Sequence, residues 1–229
     1  EKQTSDYFNE TINSDPELKN HAKIVVNWIT SELFSLLNKN NQDLNSSDLL
    51  LVDAGCEFEM YASDITRTFP VSGKFSDEQL AIYKVVLDAM NAAIDMVKPG
   101  NHIMQPQEIS EKVITEGLVK IGLLEGDPVE LHKSGAYKDF YMHKIGHWLG
   151  LDVHDAGDYM EGDEFMKFKP GMITTIEPGI YISSSMNVDD KWTISGRLVA
   201  ASFSFGTKIL ILFSHTHPSH PSQLCLKDP

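Results

Sequence analysis

Leu49-Leu50-Leu51-Val52-Asp53-Ala54-Gly55 is an apolar run closed by a carboxylate, and eleven positions after Asp53 a second carboxylate stands in Ser63-Asp64-Ile65-Thr66-Arg67-Thr68. The apolar part is short enough for a buried strand. A second extended segment is expected from Glu57 to Phe69, bounded by Gly55 before it and by Pro70, Ser72 and Gly73 after it, so the two together predict a hairpin. A carboxylate at the end of a buried strand is costly unless its charge is compensated. In a hairpin, Asp53 and Asp64 can face one point, where like charges repel unless a cation lies between them, most simply a divalent metal. The plainer readings are a turn role for Asp53 before Ala-Gly and an ion pair between Asp64 and Arg67.

Downstream, two periodicities alternate. Ser76 and Gln79 form a capping box, and Leu80, Tyr83, Leu87, Met90, Ile94 and Val97 recur at helical spacing until Pro99-Gly100. A further helix is expected from Pro106 to Ile121, with Gly122 as its left-handed cap. Met172 to Ile176 and Ile180 to Ile182 read as strands around the Pro178-Gly179 turn. This mixture predicts an α+β fold for residues 48–192. Upstream, Asp15-Pro16 opens an amphipathic helix ending near Asn38, and a polar linker completes a segment over 1–47. Residues 193–229 read as a mostly unpacked tail with one strand, Ile209 to Phe213, and the histidines His215, His217 and His220.

The chain of 229 residues carries 19 Lys and Arg against 33 Asp and Glu, a formal charge of −14, with pI near 4.9. Such a balance argues against a protein that coats nucleic acid or an anionic membrane. No apolar run approaches the ~20 residues of a membrane span. Cys56 and Cys225 are too few for a disulfide scaffold and form no Cys-x-x-Cys pair, which favours a reducing compartment, the cytoplasm. Residue 1 is Glu rather than Met, which reads as a fragment or a processed chain, so the lack of a basic-then-apolar leader speaks only for the residues present.

Two further residues share the chemistry of Asp53 and Asp64. His147 lies in Gly146-His147-Trp148-Leu149-Gly150, and Glu177 in Thr175-Ile176-Glu177-Pro178-Gly179. Hard carboxylates with one imidazole suit manganese, cobalt, iron or zinc as a close pair. Such a pair directs a hydroxide at a carbonyl, so hydrolysis is the reaction expected. His143 and His154 bracket His147 at spacings of four and seven, within reach of the same cavity if a helix or strand turn carries them.

Four stretches together resemble a known family: Leu51-Val52-Asp53-Ala54-Gly55-Cys56; Tyr61-Ala62-Ser63-Asp64-Ile65-Thr66-Arg67-Thr68-Phe69-Pro70; the run from Tyr141 through His143, His147 and His154 to Asp155; and Ile176-Glu177-Pro178-Gly179-Ile180-Tyr181. They are similar to bacterial Xaa-Pro aminopeptidase, also called aminopeptidase P, over about 48–192, with prolidase a near relative. The resemblance implies a pita-bread metallopeptidase fold, expected incomplete at both ends, and two divalent ions, manganese first. It implies Asp53 as ligand of one ion, Asp64 as a bridge, and His147 and Glu177 as ligands of the other. Glu177 would also be the general base, His154 would bind substrate near the scissile carbonyl, and His143 would stabilise the oxyanion. The substrate implied is a peptide with proline in second position. No organic cofactor is implied, and a homo-oligomer is left open.

Two departures bear on activity. The family's fifth ligand is a bridging Glu, and here Ser195-Gly196-Arg197-Leu198-Val199-Ala200 puts Val199 in its place. Upstream, Asp6-Tyr7-Phe8 and the run from Ala22 to Lys39 resemble instead a helical piece of aspartyl/glutamyl-tRNA amidotransferase. Three expectations follow: a proline-directed aminopeptidase impaired by the missing ligand; a catalytically silent pita-bread module that binds peptide; or a prolidase-type dipeptidase.

Overall fold

The computed structural model describes residues 45–183, 185–192 and 210–211. The helix expected between Asp15 and Asn38, Val199 and the tail histidines lie outside the described residues. Two compact units divide the chain, Glu1–Asp48 with Pro70–Lys74, and Leu49–Phe69 with Phe75–Pro229. In the first, the Asp48 carboxylate accepts the Asn45 N–H at 2.8 Å and the Asp48 carbonyl accepts the Val71 N–H at 3.0 Å.

The second unit opens with β1 (Leu49–Ala54), which pairs with β4 (Ile65–Pro70). Between them a small antiparallel hairpin joins β2 (Glu57–Phe58) to β3 (Tyr61–Ala62). The single extended segment expected over Glu57 to Phe69 is therefore three pieces. One of its two breaks falls at Ser63-Asp64, and the other is a two-residue turn in which Glu59 and Met60 both take positive φ, 51° and 72°. That twist matches paired strands, but it is ordinarily given to Asn-Gly, so Glu-Met carries no sequence signal for it. Strand β1 also corrects the expectation of a buried strand. Its residues alternate between half-buried and exposed, and both Leu51 and Asp53 are exposed.

The helices follow their sequence signals closely. Helix α1 (Asp77–Met96) begins at Ser76, whose hydroxyl accepts the Gln79 N–H while the Gln79 side chain takes the Ser76 N–H. Helix α2 (Gln105–Ile121) has a proline in its first turn and ends on Gly122 at φ 80°, a conformation costly to any residue with a Cβ. The two helices pack through Val85, Ala89, Ile114 and Leu118, all buried. At Gly117 an added Cβ would meet the Val85 side chain, so the bare glycine sets how closely they approach. A short helix absent from the sequence expectations, α3 (Pro128–Ser134), is capped by Asp127, which accepts N–H bonds from Val129 and Glu130.

Beyond α3 the described residues are mostly irregular. The hairpin of β5 (Met160–Glu161) with β6 (Glu164–Phe165) precedes β7 (Ile173–Thr174), which pairs antiparallel with β8 (Leu210–Ile211). Of the strand expected over Met172 to Ile176, only β7 is regular. The strand expected over Ile180 to Ile182 is absent. There the Tyr181 N–H donates to the Phe140 carbonyl of a loop at 2.8 Å, and Pro178 offers no donor to extend a ladder. Ile176, Ile180, Ile182, Trp148 and Tyr141 bury their side chains in the same apolar cluster as the two long helices. The irregular segment is thus layered on that pair through shared apolar burial.

Candidate metal centre

Two stretches lie antiparallel at the heart of the site. Leu149 N–H donates to the Ile173 carbonyl, Thr175 N–H to the His147 carbonyl at 3.0 Å, and Glu177 N–H to the Ile145 carbonyl at 2.7 Å. This register brings His147 and Glu177 side by side. Gly146 makes it feasible, because a Cβ there would land on the Thr175 carbonyl oxygen. Gly55 does the same for Asp64, since a Cβ would land on the Ser63 carbonyl oxygen beside it.

Asp64 arrives from the other direction, just before β4. His147 Nε2 lies 3.2 Å from Asp64 Oδ2 and 3.2 Å from Glu177 Oε1. One ligand atom from each of the three falls within 4.8 Å of the others, with Asp64 buried and His147 and Glu177 half-buried. Asp53 stands close enough to hydrogen-bond Asp64, while the ligand atoms that lie within 4.8 Å of one another come from Asp64, His147 and Glu177.

The tautomer of His147 sharpens the chemistry. Its Nδ1 lies 2.9 Å from the Trp148 carbonyl oxygen, which can only accept, so the hydrogen sits on Nδ1 and the neutral ring presents the Nε2 lone pair to both carboxylates. Three acceptors aimed at one spot repel unless a proton, on Nε2 or on a carboxyl, or a cation lies among them. Both carboxyls register this demand. Burial pushes Asp64 above its ordinary value and the charge of Asp53 adds to the rise, while His147 pulls it down. Glu177 is raised chiefly by burial and by the charge of Asp64, against the Thr175 hydroxyl, His147 and His143, which favour its ionised form. An oxygen-rich donor set with one imidazole, pre-oriented by a second bond on the imidazole, fits a divalent ion.

The two outer histidines take different places. His154 is exposed, its ring centroid 4.2 Å from that of His147 in an edge-on arrangement. Its loop is folded back by Asp155, whose N–H donates to the Trp148 carbonyl and whose carboxylate accepts the Leu151 N–H at 3.2 Å. His143 gives Nδ1–H to the Lys144 carbonyl at 2.7 Å, and its Nε2 lies 2.8 Å from the Tyr181 hydroxyl. Neither a helix nor a regular strand carries the three histidines. His143 and His147 flank an irregular turn, and His154 returns through a loop.

Two participants carry no mark as site residues in the sequence. Thr175 accepts the His147 N–H at 2.9 Å and donates to Glu177 Oε1 at 2.6 Å. Tyr181 holds the His143 ring. The available signal for Thr175 was its position two residues before Glu177, which in an extended chain puts both side chains on one face.

The sequence profile of metallopeptidase family M24 matches residues 21–209, a wider span than the quoted motifs cover. The chain belongs to this family. Xaa-Pro aminopeptidase of Haemophilus influenzae is 48% identical over 175 residues, covering 75% of this chain and 40% of that protein. The Escherichia coli Xaa-Pro aminopeptidase is 43% identical over 154 residues, 67% of this chain and 35% of that one. Among solved structures, aminopeptidase PepP of Pseudomonas aeruginosa superposes with a TM-score of 0.69 at 48% identity, covering 75% of this chain and 38% of its own. A zinc-substituted E. coli aminopeptidase P in complex with product gives 0.67 at 38% identity, over 75% and 38%. The chain thus spans about two fifths of the length of such relatives, and carries part of the pita-bread fold of the M24 metallopeptidases.

Proposed function

We propose that this M24 chain carries the metal-binding core of an aminopeptidase that releases the N-terminal residue from peptides whose second residue is proline. The supporting observation is the meeting of Asp64, His147 and Glu177 within 4.8 Å, with Asp53 against Asp64. Asp53 and Asp64 would hold one divalent ion, and Asp64, His147 and Glu177 a second, with manganese the ion favoured by the oxygen-rich set. When bound, such a pair polarises the scissile carbonyl and acidifies water. Two cysteines in the whole chain suit work in the reducing cytoplasm.

Glu177 is the proton carrier in this reading. Its raised affinity for a proton fits a group that takes one from the attacking water and passes it to the leaving proline nitrogen. The Thr175 hydroxyl, bonded to Oε1, fixes the carboxylate plane through both transfers. His154, exposed beside His147, is free to reach a substrate group near the scissile carbonyl. His143 would stabilise the oxyanion, which requires a hydrogen on Nε2. With Nδ1–H committed to Lys144, the neutral ring can only accept at Nε2, from Tyr181. Oxyanion stabilisation therefore calls for the imidazolium form, with Tyr181 turning its hydroxyl hydrogen away.

A second reading is a silent module that binds peptide, favoured by Val199 standing where the family has its bridging Glu. Titration with manganese, followed by hydrolysis of a proline tripeptide and an Xaa-Pro dipeptide, separates the readings. Two bound ions with tripeptide cleavage support the aminopeptidase. Cleavage of the dipeptide alone makes it prolidase-type, and binding of peptide without cleavage supports the silent module.

A further inference from the structure

We infer that Gln107, on α2 and hydrogen-bonded to Ile145 and Glu111 rather than to a candidate ligand, is a positioning residue that sets the spacing of His147 and Glu177. Gln107 is 6% exposed, and burying an amide is costly unless each polar atom is bonded. Its Oε1 accepts the Ile145 N–H at 2.6 Å across 38 residues of sequence, and its Nε2 donates to Glu111 Oε1 at 2.9 Å. These partners fix the amide orientation, because an N–H needs the oxygen and a carboxylate needs the NH2. Glu111 is itself held, with His132 Nε2 3.6 Å from its other oxygen and the Tyr137 hydroxyl bonded to it.

Ile145 is the first residue of the stretch that carries His147. Its N–H is taken by Gln107, and its carbonyl accepts the Glu177 N–H at 2.7 Å. The two bonds engage the N–H and C=O of one residue, so the helix amide anchors the end of the antiparallel register that faces the ligand pair. Without that anchor, Ile145 is left with a buried N–H unpaired, and the stretch gains freedom to slide against Thr175 and Glu177. Groups that orient metal ligands from behind typically change metal affinity by about 10–100-fold when removed.

The inference rests on the metal-centre reading, and its test separates the two. Manganese affinity by calorimetry and the visible spectrum of the cobalt-substituted protein would be measured for the parent, Gln107→Leu, Gln107→Glu and the exchange Gln107→Glu with Glu111→Gln. Thermal melts in chelator would show that each is folded. The Leu variant should lose at least about tenfold in affinity with an altered cobalt spectrum. Gln107→Glu alone sets two carboxylates together and should also weaken binding. The exchange restores an acceptor for the Ile145 N–H and a donor between positions 107 and 111, so it should recover affinity and spectrum. If Leu does not fold, Gln107→Glu against the exchange decides the matter. Parent-like affinity and spectrum in the folded variants, with only melting lowered, would overturn the inference alone. A parent that binds no divalent ion would overturn the metal reading and this one together.

Discussion

The Thr175 hydroxyl donates to Glu177 Oε1 at 2.6 Å and accepts the His147 N–H at 2.9 Å, so one fully buried residue links two candidate ligands. Neither link needs a metal. The threonine shapes the pair from within the protein.

Thr175→Val keeps the shape and removes the hydroxyl. It leaves the His147 N–H without an acceptor and Glu177 without its donor, a loss of about 1–3 kcal/mol for a buried partner stripped of its bond. The chelated variant should unfold at correspondingly lower denaturant. Manganese affinity should fall as well, since the Glu177 carboxylate is no longer held. Equal stability and affinity in parent and variant would show that Glu177 is oriented by something else.

Gly146→Ala tests the register itself. The added methyl group would fall on the Thr175 carbonyl oxygen, a backbone atom that cannot rotate away. The stretches must part, and His147 parts from Glu177 with them. We expect metal binding to be abolished even where circular dichroism still shows α1 and α2 intact. Retained manganese binding would mean that the two stretches tolerate a wider spacing than the hydrogen bonds imply.

The shifted carboxyls make stability depend on pH in a defined direction. Asp64 and Glu177 are both raised above their ordinary 3.8 and 4.5, chiefly by burial. A group whose proton is held more tightly in the folded state contributes stability that is complete below the unfolded value and is lost as pH rises through the folded one. The metal-free protein should therefore lose stability from this pair as pH climbs from about 4 through the range above ordinary carboxylates. A divalent ion should reverse the loss, binding more tightly as the protons leave. Melts across that range, in chelator and in excess manganese, check both halves. A metal-free melting temperature that climbs as these two carboxyls ionise would contradict the shifts.

Much of this was legible in the sequence, and the failures are specific. Ser76 with Gln79 and the Gly122 cap are local signals, and α1 and α2 obey them because helix ends are decided by nearest neighbours. The positive φ values at Glu59 and Met60 leave no local trace, so β2 and β3 read as one strand. Asp53 was expected to be compensated because it closes a buried strand, yet it is exposed, and what ties it to the site is its contact with Asp64. Gln107 was invisible because its partner lies 38 residues away, and an amide on a helix gives no hint that it faces inward. Glycines and strand ends point to four candidate ligands, Asp53, Asp64, His147 and Glu177, of which the last three lie within 4.8 Å of one another, and Gly146 and Gly55 each stand where a side chain would strike backbone.

Val199, outside the described residues, bears on how many ions the centre holds. A bridging carboxylate contributes one ligand to each ion and one negative charge against their repulsion, and valine supplies neither. The parent should therefore bind one ion tightly, or two weakly, and cleave a proline tripeptide slowly or not at all. Val199→Glu should strengthen the second site and raise the rate, because water acidified by two ions is the better nucleophile at neutral pH. Both proteins should be assayed on one tripeptide in excess manganese, with bound metal counted in parallel. Full-rate cleavage by the parent would mean that another group completes the centre. Two tight ions in the variant without any gain in rate would place the defect outside the metal site.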